Sequence, residues 1–322
     1  MRTTSTLVAI ITAAFALQVS AAQAEPPLRD VGPASTDPAS GTAQVIANRG
    51  RVAYTLGGGR VRVINERLAE AASVTEAGCA WRGFGAGQLL WNCHAAAPGY
   101  PFGYSPLVAL DGRQRIVLGP PPLPPGGHGE LPIWWGVGLH WMTVYYDADT
   151  RAYVNRTTGR VVYSPGEVLR ARRHVRLITD VDQDDLTRSL CAPLVPKLVP
   201  GEERADVVVA PLAYRSPYGA TRSGSRLLIG RCGARRLTVL SGCARTCSDP
   251  VVGDGFVAWM EGTSRTRTLN VRLLGRGRTW RWRVDIPAQP SQHLLAALGR
   301  RLFILAPDTL KTVRLPAPMR RR

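Results

Sequence analysis

Lysine is almost absent from this sequence. Lys197 and Lys311 are its only lysines, so nearly all of the 41 basic residues are arginines, and with 23 acidic residues the formal net charge is +18. A strongly basic protein can bind anionic polymers, lipid headgroups or nucleic acid. The arginines are spread along a chain rich in Ala, Gly, Pro and Val, however. This spread favours a general composition bias, and nucleic acid is not the partner we expect.

Long apolar runs are missing after the first 24 residues, so no later stretch is expected to span a bilayer, which takes about 20 residues. The beginning of the chain has the features of a signal peptide: Arg2, an apolar stretch from Leu7 to Val19, and the small-residue cleavage site Ala22-Gln23-Ala24. We therefore predict a signal peptide over 1–24. The product should be secreted or held in the cell envelope, with no transmembrane segment after cleavage.

The motifs that carry catalysis and metal binding are also missing. The chain has no C-x-x-C, no H-x-x-x-H and no G-x-S-x-G. We expect no cofactor, and we lean towards a protein that is not an enzyme. A carbohydrate-active hydrolase with a central acidic pocket remains the rival interpretation. It requires two carboxylates facing each other roughly 5–10 Å apart.

Six cysteines follow the predicted signal peptide. An even number in an exported chain indicates disulfides, although six cysteines allow many pairings. Pairing by proximity in the chain predicts Cys79–Cys93, Cys191–Cys232 and Cys243–Cys247. Each bond would stabilise the fold by about 2–4 kcal/mol.

Helical periodicity is nearly absent, and short apolar runs between glycine-containing turns predict antiparallel hairpins instead. A G-x-G-x-h-x-W signature, in which h is apolar, occurs at Gly85–Trp91 and again at Gly253–Trp259. The apolar units recur at roughly 40–50 residues, the length of a four-stranded propeller blade. We predict an all-β fold, a β-propeller of six blades, with seven blades or a pair of β-sandwiches as alternatives.

The predicted domain boundaries follow from composition. Residues 25–43 hold Pro, Ser, Thr, Asp and Gly with little apolar content, and they are predicted to be a flexible leader. Residues 44–318 form the predicted propeller domain. Residues 319–322 are a basic tail that ends in three arginines.

Short motifs resemble known propellers. Val52-Ala53-Tyr54 and Val257-Ala258-Trp259, each followed by a polar turn and a strand, resemble the repeats of secreted TolB-type propellers. Arg231-Cys232-Gly233 and the stretch 237–243 resemble secreted β-propellers of actinobacteria, distantly similar to the WD-repeat proteins. The resemblance implies protein interaction at the cell envelope and carries over no catalytic residue. The Ser-Pro-Asp-Gly start of a TolB-type blade is missing.

The best candidate for ligand binding is a tryptophan-rich segment. Trp134 and Trp135 stand next to a Pro/Gly-rich loop that contains His128. Aromatic rings stack on sugars and bases, and adjacent residues of an extended strand point to opposite faces. One of the two tryptophans should therefore be exposed to a ligand, while the alternative is that the segment forms blade core.

An acidic run provides a candidate calcium site at Asp180, Asp182 and Asp184. The run departs from the EF-hand pattern, which requires Gly at the sixth position and Glu at the twelfth. Its alternative interpretation is a solvated connection between blades.

These observations predict a secreted binding or scaffold module without enzymatic activity that interacts with a protein or a glycan at the cell envelope. A third possibility is adhesion of a basic surface to anionic envelope polymers. It requires arginines massed on one side of the molecule and binding that falls steeply with added salt.

Overall fold

The computed structural model describes residues 25–35, 43–57, 59–93, 104–121, 133–137, 141–145, 151–162, 212–215, 218–223, 226–231, 238–241, 247–248, 250–262, 265–274, 277–286 and 294–317. Within these ranges the secondary structure is entirely β, in antiparallel sheets of four strands. Because the described part of the chain contains no helix, it has no apolar helix that could cross a membrane.

The first three sheets follow one another along the chain, each built from consecutive strands. Sheet 1 comprises β2 (Val45–Asn48), β3 (Arg51–Gly57), β4 (Arg60–Asn65) and β5 (Glu70–Thr75). Sheet 2 comprises β6 (Cys79–Gly85), β7 (Gln88–Cys93), β8 (Ser105–Ala109) and β9 (Arg115–Leu118). Sheet 3 comprises β10 (Ile133–Val137), β11 (Trp141–Tyr145), β12 (Arg151–Asn155) and β13 (Val161–Val162).

The last three sheets repeat this order with one exception. Sheet 4 comprises β14 (Leu212–Arg215), β15 (Tyr218–Ser223), β16 (Arg226–Arg231) and β17 (Thr238–Ser241). Sheet 5 comprises β18 (Val251–Gly253), β19 (Phe256–Glu261), β20 (Thr266–Leu273) and β21 (Thr279–Asp285). Sheet 6 comprises β22 (Leu295–Leu298), β23 (Arg301–Leu305) and β24 (Thr309–Arg314), and its outer strand is β1 (Arg29–Pro33), from the other end of the chain.

The first strand of each sheet is the inner one, and neighbouring sheets meet through these strands. β2 contacts β6 and β22, β6 contacts β10, and β18 contacts β14 and β22. Radial packing of sheets that cannot bury their faces alone is the architecture of a β-propeller. The predicted fold class is therefore confirmed. The number of blades in the whole chain stays a prediction, since residues 163–211 lie outside the described ranges.

The core is made of the faces that neighbouring sheets press together. Sheets 5, 6 and 1 share one apolar cluster that includes Phe256, Phe303 and Tyr54. Sheets 1 and 2 share a second cluster, which contains Trp81 and Trp91. Burying side chains of this size contributes about 2 kcal/mol or more each, so the contacts between sheets are a main source of stability.

The N-terminal strand corrects the predicted flexible leader over 25–43. Arg29–Pro33 form β1, which pairs with β24 and completes sheet 6. Leu28 and Val31 pack against the shared core, and Ala34 is buried in it. The polar composition of the segment predicted a flexible leader and not a strand, because an outer strand requires only one apolar face.

Candidate functional site

The tryptophan-rich segment lies in sheet 3, and Trp134 belongs to its core. The Trp134 side chain is only 7% exposed and packs beside Leu90, Leu107 and Val144. Its indole nitrogen Nε1 donates a hydrogen bond to the Gly119 carbonyl oxygen at 2.9 Å. With its ring covered and its only donor satisfied, Trp134 is placed as a packing residue. The Trp135 side chain and His128 lie outside the described residues.

The predicted disulfides are described in part. Cys79 and Cys93 are directly opposed on β6 and β7 and form a disulfide, as predicted. Cys247 is also disulfide-bonded. Its partner must be one of Cys191, Cys232 and Cys243, all outside the described residues, so the pairings Cys191–Cys232 and Cys243–Cys247 stay predictions.

The predicted calcium ligands Asp180, Asp182 and Asp184 lie outside the described residues. Within the described ranges, no group of three or more His, Cys, Asp or Glu side chains is placed to hold a metal ion. The calcium site therefore stays a prediction.

The inner strands border the axis of the propeller, where a hydrolase would place its acids. The described inner strands contain apolar residues, glycines, one asparagine and two arginines, Arg82 and Arg215, but no Asp or Glu. Arg82 is half-buried, and this burial lowers the pKa of its guanidinium. A pair of catalytic carboxylates would have to come from residues outside these strands.

Arginine side chains gather at one end of the sheets. In each sheet, the turn between the first and second strands lies at the same end as the turn between the third and fourth, since the strands are antiparallel and in sequence order. The described arginines on these turns and the strand ends beside them are Arg29, Arg49, Arg51, Arg67, Arg113, Arg115, Arg156, Arg160, Arg215, Arg231, Arg278, Arg300, Arg301 and Arg314. We call this the arginine end.

Contacts between sheets place these turns on the same side of the molecule. The Asp254 amide in sheet 5 donates to the Gly299 carbonyl oxygen in sheet 6 at 2.7 Å, which joins their first turns. The Arg156 guanidinium in sheet 3 donates to Oε1 of Gln88 in sheet 2 at 2.7 Å. At the opposite end, the Ser35 amide that follows β1 donates to the Thr55 carbonyl oxygen of sheet 1 at 3.1 Å.

A local sequence feature produces this arrangement. Several of the turns contain a glycine in the left-handed region that is followed at once by arginine. The pairs and the glycine φ angles are Gly50-Arg51 (76°), Gly112-Arg113 (69°), Gly159-Arg160 (68°), Gly277-Arg278 (67°) and Gly299-Arg300 (58°). Glycine adopts this conformation without a steric penalty. Each of these five turns places an arginine at the arginine end, whereas Gly59-Arg60 (70°) places one at the opposite end.

The two ends of the sheets differ in charge. At the arginine end the described acids are only Glu66, Glu70, Asp111 and Asp254, and Glu70 is paired with Arg62 at 2.9 Å. At the opposite end the described charged residues are four arginines and four acids: Arg60, Arg151, Arg226, Arg265, Glu76, Glu261, Asp285 and Asp308. The arginine end therefore concentrates positive charge, whereas described acids and bases are equal in number at the opposite end. Such a field attracts anions, and guanidinium groups bind phosphate, sulfate and carboxylate through paired donors.

The arginine end was not predicted from the sequence, because the spacing of the arginines along the chain is dispersed. The feature that indicates a shared end is the glycine-arginine pair at equivalent turns of different sheets.

Comparisons with known proteins match the chain to other structures at low similarity. No family model matches, and no curated protein matches. A protein in the crystal structure of a mitotic checkpoint complex is 12% identical with a TM-score of 0.48, covering 91% of this chain and 96% of that one.

Two further structures are less similar. The Cps50 (Swd1) β-propeller domain of Myceliophteria thermophila is 11% identical with a TM-score of 0.38, covering 90% of this chain and 100% of that domain. BamB from Moraxella catarrhalis is 10% identical with a TM-score of 0.29, covering 84% of this chain and 71% of that protein. Values this low carry no functional conclusion, and the site must be judged on its own chemistry.

Proposed function

We propose that this protein is a binding module of the cell envelope, without enzymatic activity, and that its arginine end holds an anionic envelope polymer. The observation that carries the proposal is the concentration of arginines on one end of the propeller, opposite an end where the described acids and bases are equal in number. This is the arrangement that the adhesion hypothesis requires.

Export is part of the proposal. The signal-peptide features of residues 1–24 and the disulfide Cys79–Cys93 support it, since disulfides are typical of oxidising compartments. Anionic polymers are abundant in envelopes, and a surface that lacks lysine but is rich in arginine suits phosphate and carboxylate groups, which guanidinium forks bind in a bidentate manner.

Binding of a protein or glycan through the tryptophan-rich segment is the weaker alternative. Trp134 is buried and its indole nitrogen is already hydrogen-bonded. That alternative now rests on Trp135 and His128 alone. The hydrolase alternative requires acids from outside the described inner strands, and no observation favours it.

The test compares two sets of charge-neutralising substitutions. The first variant carries Arg51→Gln, Arg67→Gln and Arg113→Gln, three exposed arginines of the arginine end. The control carries Arg60→Gln and Arg265→Gln, exposed arginines of the opposite end. Binding to immobilised polyphosphate is measured by surface plasmon resonance over a series of NaCl concentrations.

We expect the triple variant to bind on the order of 100-fold more weakly at low salt, because each arginine near an anionic surface contributes about 1 kcal/mol. The plot of log affinity against log salt should also become less steep, since fewer counterions are released. The control should bind like the natural protein. Equal losses in the triple variant and the control would show that the interaction has no preference for the arginine end.

A further inference from the structure

Three arginines meet where the N-terminal strand joins sheet 6. β1 pairs with β24, and β24 pairs with β23, so residues nearly three hundred positions apart become neighbours. Arg301 begins β23, Arg314 ends β24 and Arg29 begins β1. We call these three residues the seam cluster.

The strand register puts the seam cluster on one face of sheet 6. Arg301 and Arg314 are directly opposed partners, and Arg29 is opposed to Thr312. Thr312 lies two residues before Arg314, and side chains two apart on a strand share a face. Directly opposed side chains have Cβ atoms about 5 Å apart, and diagonal neighbours about 7–8 Å. The three long side chains can therefore converge on one small anion.

No carboxylate balances this charge within the described part of the chain. The nearest acid in sequence, Asp30, alternates to the other face of the sheet, where it accepts a bond from Lys311 at 2.8 Å. No ion pair involves Arg29, Arg301 or Arg314 among the described residues. Like charges directly opposed across strands destabilise a sheet, so the seam cluster costs stability while it is unoccupied.

The environment of Arg301 agrees with this geometry. Its side chain is half-buried, whereas Arg29 and Arg314 are exposed. Burial, followed by the charges of Arg314 and Arg29, lowers the pKa of Arg301. A partly desolvated cation beside two others interacts more strongly with an anion than a fully solvated one does.

We propose that the seam cluster is a specific site for a doubly charged tetrahedral oxyanion, the terminal phosphate group of an anionic polymer. Three guanidinium groups offer more charge and more donors than one carboxylate can use, while a phosphate dianion can accept from all three. Because Arg29 comes from β1, the bound group also fastens the N-terminal strand to β23 and β24. This inference rests on the proposed function and names the chemical group that the arginine end selects.

The experiment measures thermal unfolding of the whole protein with small anions at constant ionic strength, adjusted with NaCl. The probes are inorganic phosphate and methyl phosphate, both dianions at pH 8, with dimethyl phosphate and acetate as monoanions. The variants are Arg301→Gln and Arg314→Gln. Arg160→Gln is the matched control, since it removes an exposed arginine from the arginine end but from sheet 3.

We expect phosphate and methyl phosphate to raise the Tm of the natural protein and of Arg160→Gln by about 2–4 °C at tenfold excess over the dissociation constant. Both cluster variants should lose this rise. They should also have a higher Tm than the natural protein when no phosphate is present, because a repulsion is gone. Improper folding is thus excluded as the reason for the loss.

A rise that persists in Arg301→Gln would overturn the inference, and so would an equal rise with acetate. If the natural protein binds polyphosphate but shows no phosphate-dependent rise, this inference fails while the proposed function stands. If the rise is present but polyphosphate binding is absent, the seam cluster is supported and the proposed function fails.

Discussion

The two glycines of the G-x-G signature have different structural roles. Gly87 and Gly255, the second of each pair, have φ angles of 75° and 84° and form the tight turn that the sequence predicted. The first of each pair ends an inner strand. A Cβ at Gly85 would overlap the Val137 carbonyl oxygen of sheet 3, and one at Gly253 would overlap the ring of Phe256. The close approach at Gly85 could not be predicted from a single sequence, since it depends on the neighbouring sheet.

Substituting Gly85 by alanine tests this packing role. Because the obstacle is a backbone atom, sheet 2 and sheet 3 must separate, and we expect a loss of about 1–3 kcal/mol in the free energy of unfolding. Gly32→Ala is the control: its added Cβ would meet Nη1 of Arg62 at 3.5 Å and the Tyr54 hydroxyl oxygen at 3.7 Å, which are ordinary contacts. Urea denaturation measures both. Similar losses in the two variants would contradict the close approach.

The elements that the sequence predicted best are the second, third and fourth strands of the sheets. Apolar runs around a polar turn, such as those that became β8 and β9, are a strong hairpin signal. The inner strands β6, β18 and β22 were not predicted. β18 and β22 have only three and four residues, and the last residues of β6 are buried on both sides. Strands covered on both faces lose the alternation on which the prediction relied.

The strand β1 was also not predicted from the sequence, for a different reason. Its partner, β24, lies at the far end of the sequence, so local composition could not reveal the pairing. Closing a ring by joining its two ends fixes the first and last elements together, and it removes an open sheet edge.

Removal of β1 should therefore weaken the whole ring. We compare a chain that begins at Ser35 with one that begins at Glu25, and use a chain that ends at Ala317 as the control for shortening. Loss of the ladder hydrogen bonds and of the packing of Leu28 and Val31 should cost at least about 2 kcal/mol. Differential scanning calorimetry gives the comparison, and an unchanged Tm in the chain that begins at Ser35 would mean that β1 does not hold the ring together.

At the scale of the molecule, the distribution of charge could not be predicted because it depends on which residues share an end. Arginines separated by tens of positions, such as Arg51, Arg113 and Arg160, come together since each follows a turn glycine at the same place in its hairpin. The arginines that are dispersed in the sequence are therefore concentrated at one end of the fold. Because the sheets repeat around a ring, residues at equivalent turns of different sheets lie on the same surface.

This concentration of charge makes salt act in opposite directions on stability and on binding. The net charge is +18, and like charges crowded at one end repel one another in the folded state. Raising NaCl from 0.01 to 0.15 M shortens the Debye length from about 30 to about 8 Å, which screens that repulsion. We expect the Tm of the protein without ligand to rise over this range while its affinity for polyphosphate falls.

The variant with Arg51→Gln, Arg67→Gln and Arg113→Gln separates this effect from general salting effects. Because the variant has less repulsion to screen, its Tm should be higher than that of the natural protein in 0.01 M NaCl and should rise less as salt is added. Differential scanning fluorimetry in one buffer series measures the Tm of the two proteins. A Tm that falls with salt in the natural protein would mean that attractive pairs, such as Arg62 with Glu70 and Arg115 with Glu76, outweigh the repulsion at the arginine end. In that case the charges of the folded protein would stabilise it overall, and the crowding of arginines at the arginine end would not lower its stability.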